Sequence, residues 1–321
     1  MGLDKAPLKL NGPREHAKAA TRRGLFHEEG RYYRWVLGKL VPYGFLAPAV
    51  VIYIAFLIVP FFGTVFYSLT DYTGLGTPHL IGMSNYSAFF GDGATLSAFR
   101  NTIIWTVTMV TVPTVLGLLL ANFLRGSGRW QGPVQAIFYL PAVLPMVGVA
   151  LVWNWLYNPQ FGFLNAFLGA IGLGSLAPDW LGSTNTAEPA LLVAGIWVSI
   201  GFPMVLYLAG LQTIAPELYE AARVDGASRW DLFRHITLPG LREMHIVIIA
   251  LEMISSLQVF ALIYAMTDGG PGNATQVLGT WMYANTFGFN KVGYGSAIGI
   301  VLTVMAMSVT VPYVLWMTRH E

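Results

Sequence analysis

Six stretches of this chain are each long and apolar enough to cross a lipid bilayer, and that constrains every other reading. They cover residues 43–69, 99–124, 133–156, 190–211, 244–266 and 294–317. A helix needs about 20 apolar residues to span the hydrocarbon layer. Composition agrees: 55% of the residues are apolar and only 11% are charged, where a soluble domain carries about 25% charged residues. Most of this chain must face lipid or itself. The expected fold class is therefore an all-α membrane protein with six transmembrane helices. Pro141, Pro145 and Pro203 predict kinks in the third and fourth spans, because each removes a backbone donor.

Lys and Arg set the orientation. Of the 18, 16 fall in the first 39 residues, after span two, after span four, or at Arg319. With six spans all four regions share one side, which places both termini in the cytoplasm. Only Arg100 and Lys291 lie opposite, alongside Asp71, Asp92, Asp179 and Asp268.

Residues 1–42 form a basic cytoplasmic segment, far longer than the charged start of a cleaved signal. Tyr32, Tyr33, Trp35, Val36 and Leu40 interleave with Arg31, Arg34 and Lys39. That pattern suits an interfacial helix, or else a plain tail before the first span. Residues 43–318 are the six-helix domain, with a cytoplasmic loop at 212–243. The outer loops at 70–98, 157–189 and 267–293 either meet an extracytoplasmic partner or merely connect spans. Residues 161–173 have the pattern of a short amphipathic helix.

The chain has no cysteine, so thiolate metal sites and cysteine nucleophiles are excluded. It has neither a phosphate-cradling loop nor a His-Glu-x-x-His pair. No catalytic residue, metal site or bound cofactor is expected, and nothing points to nucleic acid.

The loop between spans four and five carries the most information. Pro216 suits a first helical turn, and Glu217 and Glu220 complement its dipole. Gly226 offers a break and Ser228 a cap for a second helix, whose apolar side is Trp230, Phe233, Ile236 and Leu238. Two short helices joined at an elbow suit docking of a soluble partner better than a plain connection.

This segment closely resembles the coupling motif of ABC-importer permeases. Glu220-Ala221-Ala222, then Gly226, then Ile236-Thr237-Leu238-Pro239 match that pattern. The stretch Thr267 to Thr275 resembles the sugar-permease branch, the maltose and glycerol-phosphate type. So do Gly82, Asn85-Tyr86, Asn101-Thr102, Pro141, Trp153, Gly162, Asn165 and Trp180-Leu181-Gly182. The likeness runs from about Tyr43 onward.

The resemblance implies a type I importer fold in the cytoplasmic (inner) membrane of a bacterium or archaeon. It also implies a second permease subunit, giving a heterodimer, and a cytoplasmic ATPase dimer that binds ATP and magnesium. An extracytoplasmic solute-binding protein would deliver a sugar or oligosaccharide. Glu220, Ala221, Ala222 and Gly226 would sit at the ATPase contact, with Arg223, Asp225 and Arg229 nearby.

Within span five, Glu252, Ser255 and Ser256 share one helical side, followed by Gln258 and Tyr264. An ionisable residue inside a span marks a functional site by default. With Trp153, Asn154, Trp155 and Trp197 these residues are candidates for a sugar path. Alternatively, Glu252 pairs with the partner permease or is protonated. A stand-alone secondary transporter or channel is the competing class, but it would show repeated halves and several intramembrane carboxylates.

Overall fold

A computed structural model describes residues 43–126 and 128–318. The suggested interfacial helix at 31–40 and Arg319 lie outside the described residues. Among the described residues there is no strand, only one isolated bridge pairing Thr70 with Leu80. By their internal contacts the residues group into two units, one ending at Gly63 and one starting at Thr64. Every site discussed below lies in the second.

The first helix, α1, runs from Tyr43 to Ser68. It widens to a π turn at Ile54–Ile58, where Val59 N–H reaches back to the Ile54 carbonyl. Pro60 follows directly and supplies no N–H for the regular ladder. After a short α2 (Ser84–Gly91), Asp92 caps the longest helix, α3 (Gly93–Leu124), by accepting from the amides of Ala94 and Thr95.

The third apolar stretch is not straight. It forms α4 (Gln131–Val143) and α5 (Met146–Leu156), bent by 103°. The bend falls at Leu144–Pro145, where a residue preceding proline is driven into extended conformation (Leu144 ψ 141). The outer segment that follows holds α6 (Phe163–Ala170), inside the expected 161–173.

Helix α7 (Ala187–Thr213) is long enough to span and passes Pro203 with only a single-residue interruption at Ile200. Two short helices follow, α8 (Pro216–Val224) and α9 (residues 229–240). The fifth stretch is again broken, into α10 (Arg242–Leu257) and α11 (Ala261–Thr267), at 43°. Then come α12 (Leu278–Tyr283) and the last long helix, α13 (Val292–Thr318). Among the described residues, four helices are thus long and apolar enough to cross a membrane, and up to six spans result if each bent pair counts as one.

Three apolar clusters hold the second unit together. One surrounds Trp105, Val149, Trp153, Ala194 and Ile263. A second joins α3 and α7 to the short helices through Leu118, Leu124, Met204, Tyr207, Leu211 and Tyr219. A third packs Phe89 and Ala98 on Leu278, Trp281 and Ile298. The backbones of α3 and α7 approach closely. A Cβ on buried Gly117 would lie 2.8 Å from the Met204 amide nitrogen and from the Pro203 ring. Small residues at such crossings are how membrane helices gain dispersion contacts without a hydrophobic driving force.

Candidate functional site

Two places concentrate the chemistry. The first is the helix–elbow–helix at residues 216–240. Pro216 opens α8 at its first position, with Glu217 in the first turn. The helix ends in a Schellman arrangement: Ala227 N–H reaches the Ala222 carbonyl at 2.9 Å, and Gly226 N–H reaches that of Arg223 at 3.1 Å. Gly226 takes φ +83, the left-handed region. A Cβ there would meet nothing within 4 Å, so glycine answers a backbone requirement and not a lack of space.

Helix α9 begins with a reciprocal capping box. The Ser228 hydroxyl accepts from the Asp231 amide at 3.2 Å, and the Asp231 carboxylate accepts from the Ser228 amide at 3.0 Å. The Ser228 hydroxyl and amide hold the Asp231 carboxyl below its ordinary range. Leu218, Val224 and Trp230 are exposed around this elbow, while Glu220, Ala221, Arg223, Asp225 and Arg229 face solvent. Ala222 is half-buried.

Tyr219 ties the pair together, and nothing in its local spacing marks it for that role. Its ring is buried, its hydroxyl pairs with the Thr237 hydroxyl at 3.0 Å, and the Arg125 guanidinium lies 3.9 Å from its ring centre. The end of α3 is thereby joined to both α8 and α9.

The second place is a cavity of about 200 Å³ at the break between α10 and α11. Glu252, Ser255, Ser256 and Gln258 line it together, as their spacing predicts. Its other walls are Trp105, Met109, Gly195, Val198, Ser199 and Phe260, with Met146 and the residues from Val259 to Leu262. Glu252 is 6% exposed and has no hydrogen-bond or ion-pair partner among the described residues. No Lys, Arg or His lines the cavity. The Ser256 hydroxyl is engaged, donating to the Met253 carbonyl at 3.0 Å.

The aromatic candidates stand apart from these walls. Trp153 is buried in the core, stacked obliquely on Tyr157 at 5.1 Å and edge-on to Trp197 at 5.8 Å. Asn154 donates to the Ala265 carbonyl at 3.5 Å. The Trp153 Nε1 and Asn154 Oδ1 atoms are buried with no hydrogen-bond partner. Trp155 is 70% exposed. Tyr264 stacks behind the cavity-lining Phe260 at 5.1 Å. Sequence reasoning missed Trp105, Met109, Gly195 and Phe260, since apolar residues carry no mark of facing a cavity.

The other motif residues fasten segments to one another. Asn85 donates to the Ser68 and Thr70 carbonyls at 2.9 and 2.8 Å. Asn101 donates to the Ala274 and Gln276 carbonyls at 2.8 and 2.9 Å. The Thr102 hydroxyl accepts from the Leu278 amide at 2.8 Å, and Trp180 donates to Asn165 at 2.7 Å.

Comparison with known proteins gives these features a context. Residues 113–321 match the family described as the binding-protein-dependent transport system inner membrane component. A probable ABC transporter permease protein of Bacillus subtilis (strain 168) is 36% identical, over 85% of this chain and 94% of that protein. The trehalose/maltose transport system permease protein MalF of Thermococcus litoralis is 34% identical, over 88% and 94%.

Among solved structures, a chain of a bacterial ABC transporter involved in the import of the acidic polysaccharide alginate superposes with a TM-score of 0.78 at 25% identity. That match covers 90% of this chain and 99% of the other. A second match, with a TM-score of 0.75 at 25% identity over 89% and 94% of the chains, comes from a bacterial alginate transporter in complex with its alginate pentasaccharide-bound periplasmic protein. The chain belongs to the binding-protein-dependent transport system inner membrane component family, the permeases of ABC transporters.

Proposed function

We propose that this chain is one of two membrane subunits of an ATP-driven importer for a neutral sugar or oligosaccharide. The observation that carries this reading is the elbow at Gly226: two short capped helices, tied by Tyr219 and Arg125 to the end of a long apolar helix. Such an element transmits a partner's displacement as rigid-body tilt, because capped helices and a buried clamp move as a unit. Glu220, Ala221, Ala222 and Gly226 form the contact with a separate cytoplasmic ATPase, and Arg223, Asp225 and Arg229 border it. That ATPase binds ATP and magnesium; this chain supplies no group for either. The bent pairs count as single spans, giving six, with both termini cytoplasmic, in the inner membrane. An extracytoplasmic binding protein delivers the ligand, and a second permease completes the path.

The cavity at the helix break is this subunit's share of the path. Glu252, Ser255 and Gln258 offer acceptors and donors suited to sugar hydroxyls, and Phe260 offers an aromatic face. Trp153, Asn154, Trp197 and Tyr264 support these walls from behind. No Lys, Arg or His lines the cavity to pair with an acidic ligand, which favours a neutral one. The volume, below the roughly 300–1,000 Å³ of drug-sized sites, suits one sugar unit at a time. The test is co-purification with a separate ATPase whose turnover rises when the binding protein is loaded with a neutral sugar. An ATPase that never co-purifies, or turnover indifferent to loaded binding protein, overturns the reading.

A further inference from the structure

A cavity of about 560 Å³ lies at the start of α3, between the segment that follows α1 and the turn that follows α12. The elbow lies at the other end of α3, a helix of 32 residues and so about 48 Å long. This cavity shares no wall residue with the Glu252 cavity or with the elbow. Its size falls within the roughly 300–1,000 Å³ of small-molecule sites.

Its walls mix two kinds of group. Tyr72, Trp281 and Phe289 are aromatic, and Asp71, Asn285 and Lys291 are polar. Asn285 is 2% exposed. Its amide nitrogen donates to the Trp281 carbonyl at 2.9 Å, while its Oδ1 accepts from no donor among the described residues. Asp71 spends one carboxylate oxygen on the His79 amide at 2.9 Å. Neither Asp71 nor Lys291 forms an ion pair among the described residues. The other carboxylate in the walls, Asp92, is taken up by the Ala94 and Thr95 amides at the start of α3. What the cavity offers a ligand is therefore rings, free acceptor oxygens and one ammonium.

Those groups suit a neutral carbohydrate. Aromatic faces take the apolar face of a sugar ring, and charged donors and acceptors make strong hydrogen bonds with hydroxyls. An acidic ligand would meet Asp71, and a basic one Lys291, as like charges. We propose that this cavity is a second saccharide subsite, holding one unit of a neutral oligosaccharide apart from the unit in the Glu252 cavity. Helix α12 links the two: Trp281 walls this cavity, and a Cβ on Gly279 would lie 2.9 Å from the carbonyl oxygen of Val259, which lines the other. The inference rests on the sugar reading of the substrate and not on the ATPase contact.

The test uses the full chain with whatever subunits co-purify, and reads amide exchange over residues 284–292. Three neutral disaccharides, maltose, trehalose and xylobiose, are titrated, with glucuronic acid and glucosamine as charged controls. At least one disaccharide should slow exchange there, and the charged sugars should need far higher concentrations. Phe289→Ala with Lys291→Ala should raise the half-effect concentration roughly tenfold; both side chains are exposed, so the fold should survive. Phe289→Tyr with Lys291→Arg should restore most of the effect, and Glu252→Gln should leave it unchanged. No slowing by any disaccharide, equal slowing by the charged sugars, a double alanine variant that responds as wild type, or an effect lost in Glu252→Gln each overturns the proposal. Slowing by the empty binding protein alone overturns it too, since the cavity would then be a docking surface. Sugar held here while no ATPase answers the loaded binding protein would keep the subsite and remove the importer reading; the opposite result would do the reverse.

Discussion

Replacing Gly226 separates a backbone requirement from a steric one. Its φ of +83 is left-handed, yet a Cβ built there has no neighbour within 4 Å. An added side chain therefore clashes with nothing beyond its own backbone. The cost is that of placing an L-residue in the left-handed region, about 1–2 kcal/mol. It is less for Asn, whose short polar side chain tolerates that region, and more for a β-branched residue. Expressed as an equilibrium, 1–2 kcal/mol disfavours the bent elbow by roughly 5–30-fold. If the bent elbow is the form that docks, ATPase affinity should fall by that factor in Gly226→Ala. It should fall less in Gly226→Asn and more in Gly226→Val. The assay is titration of the purified ATPase onto vesicle-embedded permease pairs, followed by the ratio of sugar moved to ATP hydrolysed. The reasoning fails if Gly226→Ala binds as wild type, or if Asn and Val are equally damaging, since that would make the effect one of bulk.

Glu252→Gln keeps the shape and replaces the carboxyl with an amide. Losing one matched hydrogen bond to the sugar costs about 0.5–1.5 kcal/mol, so uptake at limiting sugar should drop by roughly 2–12-fold with assembly intact. Unchanged uptake removes Glu252 from the path. Tyr219→Phe keeps the ring under Arg125 but deletes the hydroxyl that meets buried Thr237. A loss of roughly 0.5–1.5 kcal/mol should appear as faster amide exchange in both α8 and α9, and exchange altered in only one of them refutes the clamp. The capping box gives a pH dependence. The Asp231 carboxyl is held below its ordinary value of 3.8, so folding favours the charged form. Its contribution is complete above that value and is lost as pH falls from it through the lowered one. Amide protection at residues 228–232 should persist to that range and fail below it; failure near neutral pH contradicts the assignment.

What was legible in the sequence was local. Pro216, Gly226 and Ser228 each announce a backbone event that their own covalent structure dictates, and the elbow forms where they stand. Pro145 does the same for the 103° bend, though proline alone does not fix the angle: Pro203 sits in a helix that runs on almost undisturbed. The break at 258–260 has no proline or glycine to announce it. It is made by packing: the Val259 carbonyl lies where a Cβ on Gly279 would be 2.9 Å from its oxygen, and Phe260 stacks among Tyr264 and Tyr283. Likewise Arg125 and Tyr219 are far apart in the chain, and no periodicity links them.

Polar residues in an apolar chain are ambiguous for a related reason. Asn85, Asn101, Thr102 and Trp180 look as suitable for a sugar as Glu252 does. Their hydrogen bonds, however, go to Ser68, Thr70, Ala274, Gln276, Leu278 and Asn165, so they are fasteners. Glu252 is buried like Asn85, Asn101 and Thr102 and bonds to nothing described. Facing the cavity, the Glu252 carboxyl is free to meet a ligand. Trp153 Nε1 and Asn154 Oδ1 are enclosed without a hydrogen-bond partner, as are the hydroxyls of Thr106, Thr114 and Tyr207. Trp153 Nε1 and Asn154 Oδ1 lie outside the walls of the cavity, where α5 and α11 pack on one another, so lack of a partner does not by itself single out the path; lining the cavity together with Ser255 and Gln258 is what sets Glu252 apart.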